Sequence, residues 1–151
     1  MLHHISISVK NPQHVANVMA EIMHGSVLPF SPNPGGYMML ARDKFGTGIE
    51  FYPLGSEIIP DAWQGQAGFK INEHPANYTG VHAAISVPVS VEKIEQIGAR
   101  EGWRVLPCSR GAFDVVEFWI ENRVMLELLT PEMVDKYLDA VNLEKLDRTV
   151  R

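Results

Sequence analysis

The chain opens with alternating apolar and polar positions. Ile5, Ile7 and Val9 fall on one side of a two-residue period, with His4, Ser6 and Ser8 on the other. That is the mark of a half-buried strand over residues 3–9. Asn11-Pro12 follows as an N-cap and a first helical position. Val15, Val18, Met19, Ile22 and Met23 then recur at helical spacing, and Gly25 is the expected stop. Strands are predicted over 27–30, 37–42 and 48–53, separated by the Pro, Gly and Asn of 32–36 and the turn at 43–46.

The same pattern returns further along. His4-Ile5-Ser6-Ile7-Ser8-Val9 reads like His82-Ala83-Ala84-Ile85-Ser86-Val87, an offset of 78 positions. That offset also carries Val27-Leu28-Pro29 onto Val105-Leu106-Pro107, and an offset of 77 carries Ile49-Glu50 onto Leu126-Glu127. A three-residue identity alone would be weak; several features keeping one offset to within a residue mark an internal repeat. The second copy predicts a strand over 81–87 and a helix capped by Ser90, with Val91, Ile94 and Ile97 on one face and an end near Gly102. Strands follow over 103–109, 113–120 and 124–129. Each copy is a β-α-β-β-β module, and the fold class is α+β.

Module one covers about 1–54 and module two about 80–131. Between them, residues 55–79 are rich in Gly, Pro, Asn and Gln with isolated bulky residues such as Trp63 and Phe69, and read as a linker. Thr130-Pro131 caps a final helix over about 131–147, with Met133, Val134, Tyr137, Leu138 and Val141 on its apolar face. The last residues, from Asp147, are expected to fray. The whole chain, 1–151, is expected to be one domain.

Composition narrows the function classes. Apolar residues make up 46% and charged residues 21% of the 151, an ordinary globular balance that excludes disorder and long coiled coil. No apolar run reaches the roughly 18 residues of a membrane span, and Met1-Leu2-His3-His4-Ile5 has no signal-peptide pattern. A single cysteine, Cys108, excludes an internal disulfide and a Cys-rich zinc motif. The expectation is a cytoplasmic protein. A net charge of −5 argues against nucleic acid and anionic membrane as partners and leaves a small-molecule substrate.

The candidate chemistry sits on the repeat. His4 opens the first strand of copy one and Glu50 lies in its last strand; His82 and Glu127 take the matching places in copy two. Imidazole nitrogen and carboxylate oxygen suit Zn²⁺, Ni²⁺, Co²⁺, Fe²⁺ or Mn²⁺. Two carboxylates also offset the charge of a dication. A lone strand His or Glu is more often structural, so the repeated pair carries this reading. Beside the histidines stand Ser6, Ser8, Ala84 and Ser86, small residues that leave volume for solvent and substrate. Ile5, Ile7, Ile85 and Val87 are expected to pack under the helices.

The stretches HHISISV, GIEFYP, VHAAISV and VMLELLTP, which begin at His3, Gly48, Val81 and Val124, resemble the vicinal oxygen chelate superfamily. That superfamily includes glyoxalase I, methylmalonyl-CoA epimerase, extradiol dioxygenases and fosfomycin or bleomycin resistance proteins. The resemblance covers nearly the whole chain. It implies tandem βαβββ modules forming a U-shaped mixed sheet around a central cavity. It also implies one divalent metal ion held by His4, Glu50, His82 and Glu127, with the modules paired within a chain or across a homodimer. The two-His, two-Glu set is similar to that of bacterial glyoxalase I. The implied function is metal-dependent lyase or isomerase chemistry, in which Glu50 or Glu127 is the catalytic group that moves a proton next to a metal-bound carbonyl. Alternatives are an extradiol-type dioxygenase, for which a fourth protein ligand is unfavourable, and a non-catalytic drug-binding protein.

Other polar residues read more plainly. His3, His14 and His24 are expected to be structural or solvated, and His74 to lie in the linker. Arg42, Arg110 and Arg123 read as surface charges, and Cys108 has no identifiable base partner.

Overall fold

The computed structural model describes residues 2–62 and 65–142. The chain divides into two compact units, Met1–Thr79 and Gly80–Arg151. The first contains β1 (His4–Val9), α1 (Pro12–Met23), β2 (Ser26–Phe30), β3 (Gly36–Leu40), β4 (Gly48–Pro53), β5 (Ser56–Ile59) and β6 (Gly68–Ile71). The second contains β7 (Ala83–Ser86), α2 (Val91–Glu101), β8 (Val105–Ser109), β9 (Asp114–Ile120), β10 (Val124–Leu129) and α3 (Pro131–Ala140).

The repeat is a repeat of topology. The first unit builds a sheet in the order β1-β4-β3-β2 and the second a sheet in the order β7-β10-β9-β8. In each, the first and last strands of the module run parallel and the other neighbours antiparallel. The architecture is α+β, as expected. Even the register is shared: Ser6 faces Glu50 in the first unit, and Ala84 faces Glu127 in the second.

Strand alternation decides which side is core. In the first unit Ile7, Val9, Met39, Ile49 and Phe51 are buried, together with Val15, Val18, Met19 and Ile22 of α1, which packs on β3 and β4. Burying one such side chain contributes roughly 1.5–3 kcal/mol, so this face holds the unit together. Its opposite face carries Ser6 and Ser8, both half-buried. In the second unit Val87 is buried and Ile85 half-buried, whereas Ala84 and Ser86 are exposed. The small residues therefore stay out of the packed cores, as the pattern predicts.

Four expectations need correction. Helix α1 ends on His24, in the left-handed region at φ 51°, rather than on Gly25. Gly25 is required for space, since a Cβ there would stand 2.5 Å from the Leu40 carbonyl oxygen. Residues 55–79 are not merely a linker: they contain the antiparallel hairpin β5–β6. Gly55, at φ +92° and too close to the Asn72 carbonyl oxygen to admit a side chain, closes that hairpin by accepting the Asn72 N–H. Strand β7 begins at Ala83, which leaves His82 just before it. Finally, Thr130 precedes α3 without making a side-chain capping bond, and α3 is assigned over Pro131–Ala140. No residue of α3 is fully buried; Tyr137 meets Phe113 edge-on at 5.0 Å, while Leu138 is exposed. Trp63 and the expected helix end and frayed tail at 143–151 lie outside the described residues.

Candidate metal centre

Parallel pairing of β1 and β4 sets His4 opposite Gly48, Ser6 opposite Glu50 and Ser8 opposite Tyr52. The period of two puts Ser6, Ser8, Glu50 and Tyr52 on one face of the sheet, away from α1. On that face His4 Nε2 stands 3.9 Å from Glu50 Oε1. The His4 side chain is 59% exposed and that of Glu50 only 7%. The carboxylate is not left without donors. Its other oxygen, Oε2, accepts the hydroxyl of Ser6 at 2.5 Å and that of Tyr52 at 2.5 Å. Burial, and then the hydrogen bond to Glu50, push the Tyr52 phenol up to about 12, so at neutral pH it remains a donor.

Tyr52 itself is braced. Its ring lies 5.4 Å from Phe30 and 5.3 Å, edge-on, from Phe69. Phe69 comes from the β5–β6 hairpin, whose Ser56 carbonyl accepts the hydroxyl of Ser8. The intervening segment thus folds back beside the first unit's candidate residues. His74, in the same segment, is exposed and donates its backbone N–H to Asn72.

The second unit treats its carboxylate differently. Glu127 Oε1 accepts from Arg110 Nε at 2.8 Å. The same guanidinium donates to Glu117 Oε1 at 2.8 Å through Nη2. Glu117 lies directly opposite Glu127 across the β9–β10 ladder. Like carboxylates facing each other across strands repel, and Arg110 is the cation that reconciles them. Trp119 Nε1 adds a bond to Glu117 Oε2 at 3.0 Å, and Cys108 Sγ lies 3.9 Å from Oε1. The guanidinium first, and the indole second, hold the Glu117 carboxyl below its ordinary value, while the two carboxylates raise Arg110.

The outcome for the expected residues is mixed. His4 and Glu50 come together in the first unit. His82 is exposed just before β7, and Glu127 is engaged by Arg110. Among the described residues no three His, Cys, Asp or Glu side chains gather closely enough to hold a metal ion. Arg110 is not the idle surface charge it was read as. Tyr52 and Glu117 were missed, yet both were open to detection. Each is an even-register neighbour of an already suspected glutamate: Tyr52 two positions after Glu50 along β4, and Glu117 across the ladder from Glu127.

The donor chemistry of the first pair fits a divalent cation: an exposed imidazole nitrogen beside a carboxylate oxygen that accepts neither of the two hydroxyls. Glu127 fits only if it exchanges Arg110 for the cation.

No protein-family model matches the chain, and no curated protein matches it. Solved structures do. The fosfomycin resistance protein FosX from Listeria monocytogenes, complexed with Mn(II) and a sulfate ion, is 16% identical, with 94% of this chain and 98% of that one covered at a TM-score of 0.56. The two share a fold. FosX from Mesorhizobium loti is 12% identical over 85% of this chain and 88% of that one, with a TM-score of 0.53. A candidate dioxygenase from Bacillus subtilis is 21% identical over 85% of this chain but 40% of that one, with a TM-score of 0.52. The expected likeness of fold to the vicinal oxygen chelate proteins therefore holds. Among the described residues no helix is long and apolar enough to cross a membrane.

Proposed function

We propose that the protein is a metal-dependent enzyme acting on a small oxygenated substrate, with proton transfer beside a bound carbonyl as its chemistry. One divalent cation is drawn from His4, Glu50, His82 and Glu127, with the modules contributing within one chain or between two copies. The observation that carries this reading is the His4–Glu50 pair, a half-open nitrogen and oxygen donor set on the sheet face opposite α1. The Mn(II) in the FosX structure of the same fold supports the choice of a divalent ion.

When bound, the cation supplies Lewis-acid polarisation of the substrate carbonyl. The residues divide the remaining work. Glu50 is pinned through Oε2 by Ser6 and Tyr52 and suits a fixed ligand. Glu127 accepts from Arg110, which Glu117 also holds, so Glu127 can turn away without leaving the guanidinium unpaired. Glu127 is therefore assigned to carrying the proton. A positioned carboxylate contributes roughly 10²–10⁴-fold to such a step.

One observation favours a second reading. While Arg110 occupies Glu127, the remaining set is His4, His82 and Glu50, the two-His, one-carboxylate set of Fe²⁺ oxygenases. The objection that a fourth ligand would block dioxygenase chemistry is then weaker, and the dioxygenase-like neighbour points the same way.

The test begins with binding of Mn(II), Ni(II) and Fe(II) to the metal-free protein. One ion per pair of modules is expected, weaker in Glu50→Gln and in Glu127→Gln and lost in the double variant. Full stoichiometry in the double variant would overturn the shared site. Deuterium incorporation next to the carbonyl of small hydroxy-ketones, abolished by Glu127→Gln, supports the first reading; oxygen uptake with catechols and Fe(II) supports the second.

A further inference from the structure

Resting on the metal reading above, the geometry points to Tyr52, assisted by Ser6, as the positioning residue that turns Glu50 so that a single oxygen, Oε1, is offered to the cation. Four observations converge on it. Both hydroxyls donate to the same oxygen, Oε2, and Ser6 Oγ is also 3.2 Å from the Tyr52 oxygen. The other oxygen faces His4. Phe30 and Phe69 clamp the phenol ring, so the hydroxyl cannot swing away without disturbing both. The arrangement also belongs to this unit alone and is not a general product of the fold. At the repeat offsets, Ser6 becomes Ala84 and Tyr52 becomes Leu129, neither of which carries a hydroxyl. Among the described residues the hairpin that supplies Phe69 has no counterpart in the second unit, where β10 runs directly into α3.

A carboxylate with one oxygen already occupied by two short hydrogen bonds meets a cation through the other. Groups that orient a metal-binding side chain in this way typically change metal affinity by about 10–100-fold when removed. Tyr52→Phe keeps the ring between its two aromatic neighbours and deletes only the hydroxyl.

The experiment is titration of Mn(II) into metal-free full-length protein, with the visible absorption of the Co(II) form as a second readout. Tyr52→Phe should weaken Mn(II) binding by about 10–100-fold and shift the Co(II) spectrum as Glu50 gains freedom to chelate through both oxygens. The melting temperature of its metal-free form should stay within a few degrees of wild type. Ser6→Ala should shift affinity in the same direction by less. Ser8→Ala is the control: its hydroxyl lies on the same sheet face but donates to the Ser56 carbonyl, so affinity should not change. Stoichiometric binding by wild type, with equal affinity and an identical Co(II) spectrum in Tyr52→Phe, would overturn the positioning role alone. A wild-type protein that takes up no cation would overturn the metal reading and this inference together.

Discussion

The two units solve one problem in two ways. Each places a glutamate at the same position of the last strand, opposite the same position of the first strand. In the first unit hydroxyls satisfy that carboxylate and its charge remains available. In the second a guanidinium does so and offsets the charge. A neutral donor fixes a carboxylate without competing electrostatically with a dication, whereas Arg110 occupies the role a dication would take. The comparison teaches that matched positions in a repeat need not have matched functions. In the first unit one carboxylate oxygen, Oε1, is left to face His4, whereas in the second a guanidinium already offsets the charge.

The largest expected effect comes from removing the cation of the second unit. Arg110→Ala would leave Glu117 and Glu127 facing each other across β9–β10. Breaking a buried pair costs about 3–5 kcal/mol. The Arg110 side chain is 34% exposed, so solvent screening reduces this to about 1–3 kcal/mol. Denaturant unfolding at neutral pH measures it. The deficit should shrink as acid protonates Glu117, or when a divalent cation replaces the guanidinium. A deficit that ignores both pH and cation would mean that Arg110 acts through packing alone, and the contrast between the units would fail.

A smaller, pH-dependent effect sharpens the same contrast. Glu117 has a folded pKa below its ordinary value of 4.5, chiefly because of Arg110. The folded state therefore holds this proton less tightly than the unfolded state. Its stabilising contribution is present above about 4.5 and disappears as pH falls through the lower folded value. Melting temperature followed from pH 6 down to pH 3 should drop less steeply in Glu117→Gln than in wild type. The effect is smaller than that of Arg110→Ala because Glu127 still holds the guanidinium. Identical acid limbs would mean that the ion pair does not persist in solution.

Much of this arrangement was legible in the sequence. The alternation Ile5-Ile7-Val9 against Ser6-Ser8 identified the core face, because burial on one side of a strand imposes a period of two. The repeat offset carried Glu50 onto Glu127, and both proved to stand at equivalent ladder positions. What escaped was of another kind. Arg110 lies seventeen residues from Glu127 in sequence and reaches it from the loop after β8; a single sequence carries no signal of which long side chain will bend to which carboxylate. The hairpin β5–β6 was hidden because its strands are four residues long and set among Gly and Pro. Tyr52 was passed over as part of an apolar run, although its parity placed it with Glu50.

The smallest effect concerns how the two repeated helices end. Helix α2 stops on Gly102 at φ 68°, the usual glycine solution to a left-handed cap. Helix α1 stops on His24 at φ 51°, with the glycine one residue later. Gly25 serves a different end, since a Cβ there would meet the Leu40 carbonyl oxygen. His24 carries the left-handed strain that Gly102 avoids. His24→Gly removes the strain but also increases the freedom of the unfolded chain. The net gain should be about 0.5–1 kcal/mol. Gly102→Ala should cost about 1 kcal/mol by the reverse argument, since nothing lies within 4 Å of a Cβ there and only backbone strain is added. Chemical denaturation of the two variants measures both. A loss of stability in His24→Gly would show that the imidazole's contacts, together with the lower freedom of the unfolded chain, outweigh the strain. The ends of the two helices would then be different solutions of similar worth, as the two carboxylates are, and not one good cap and one compromised cap.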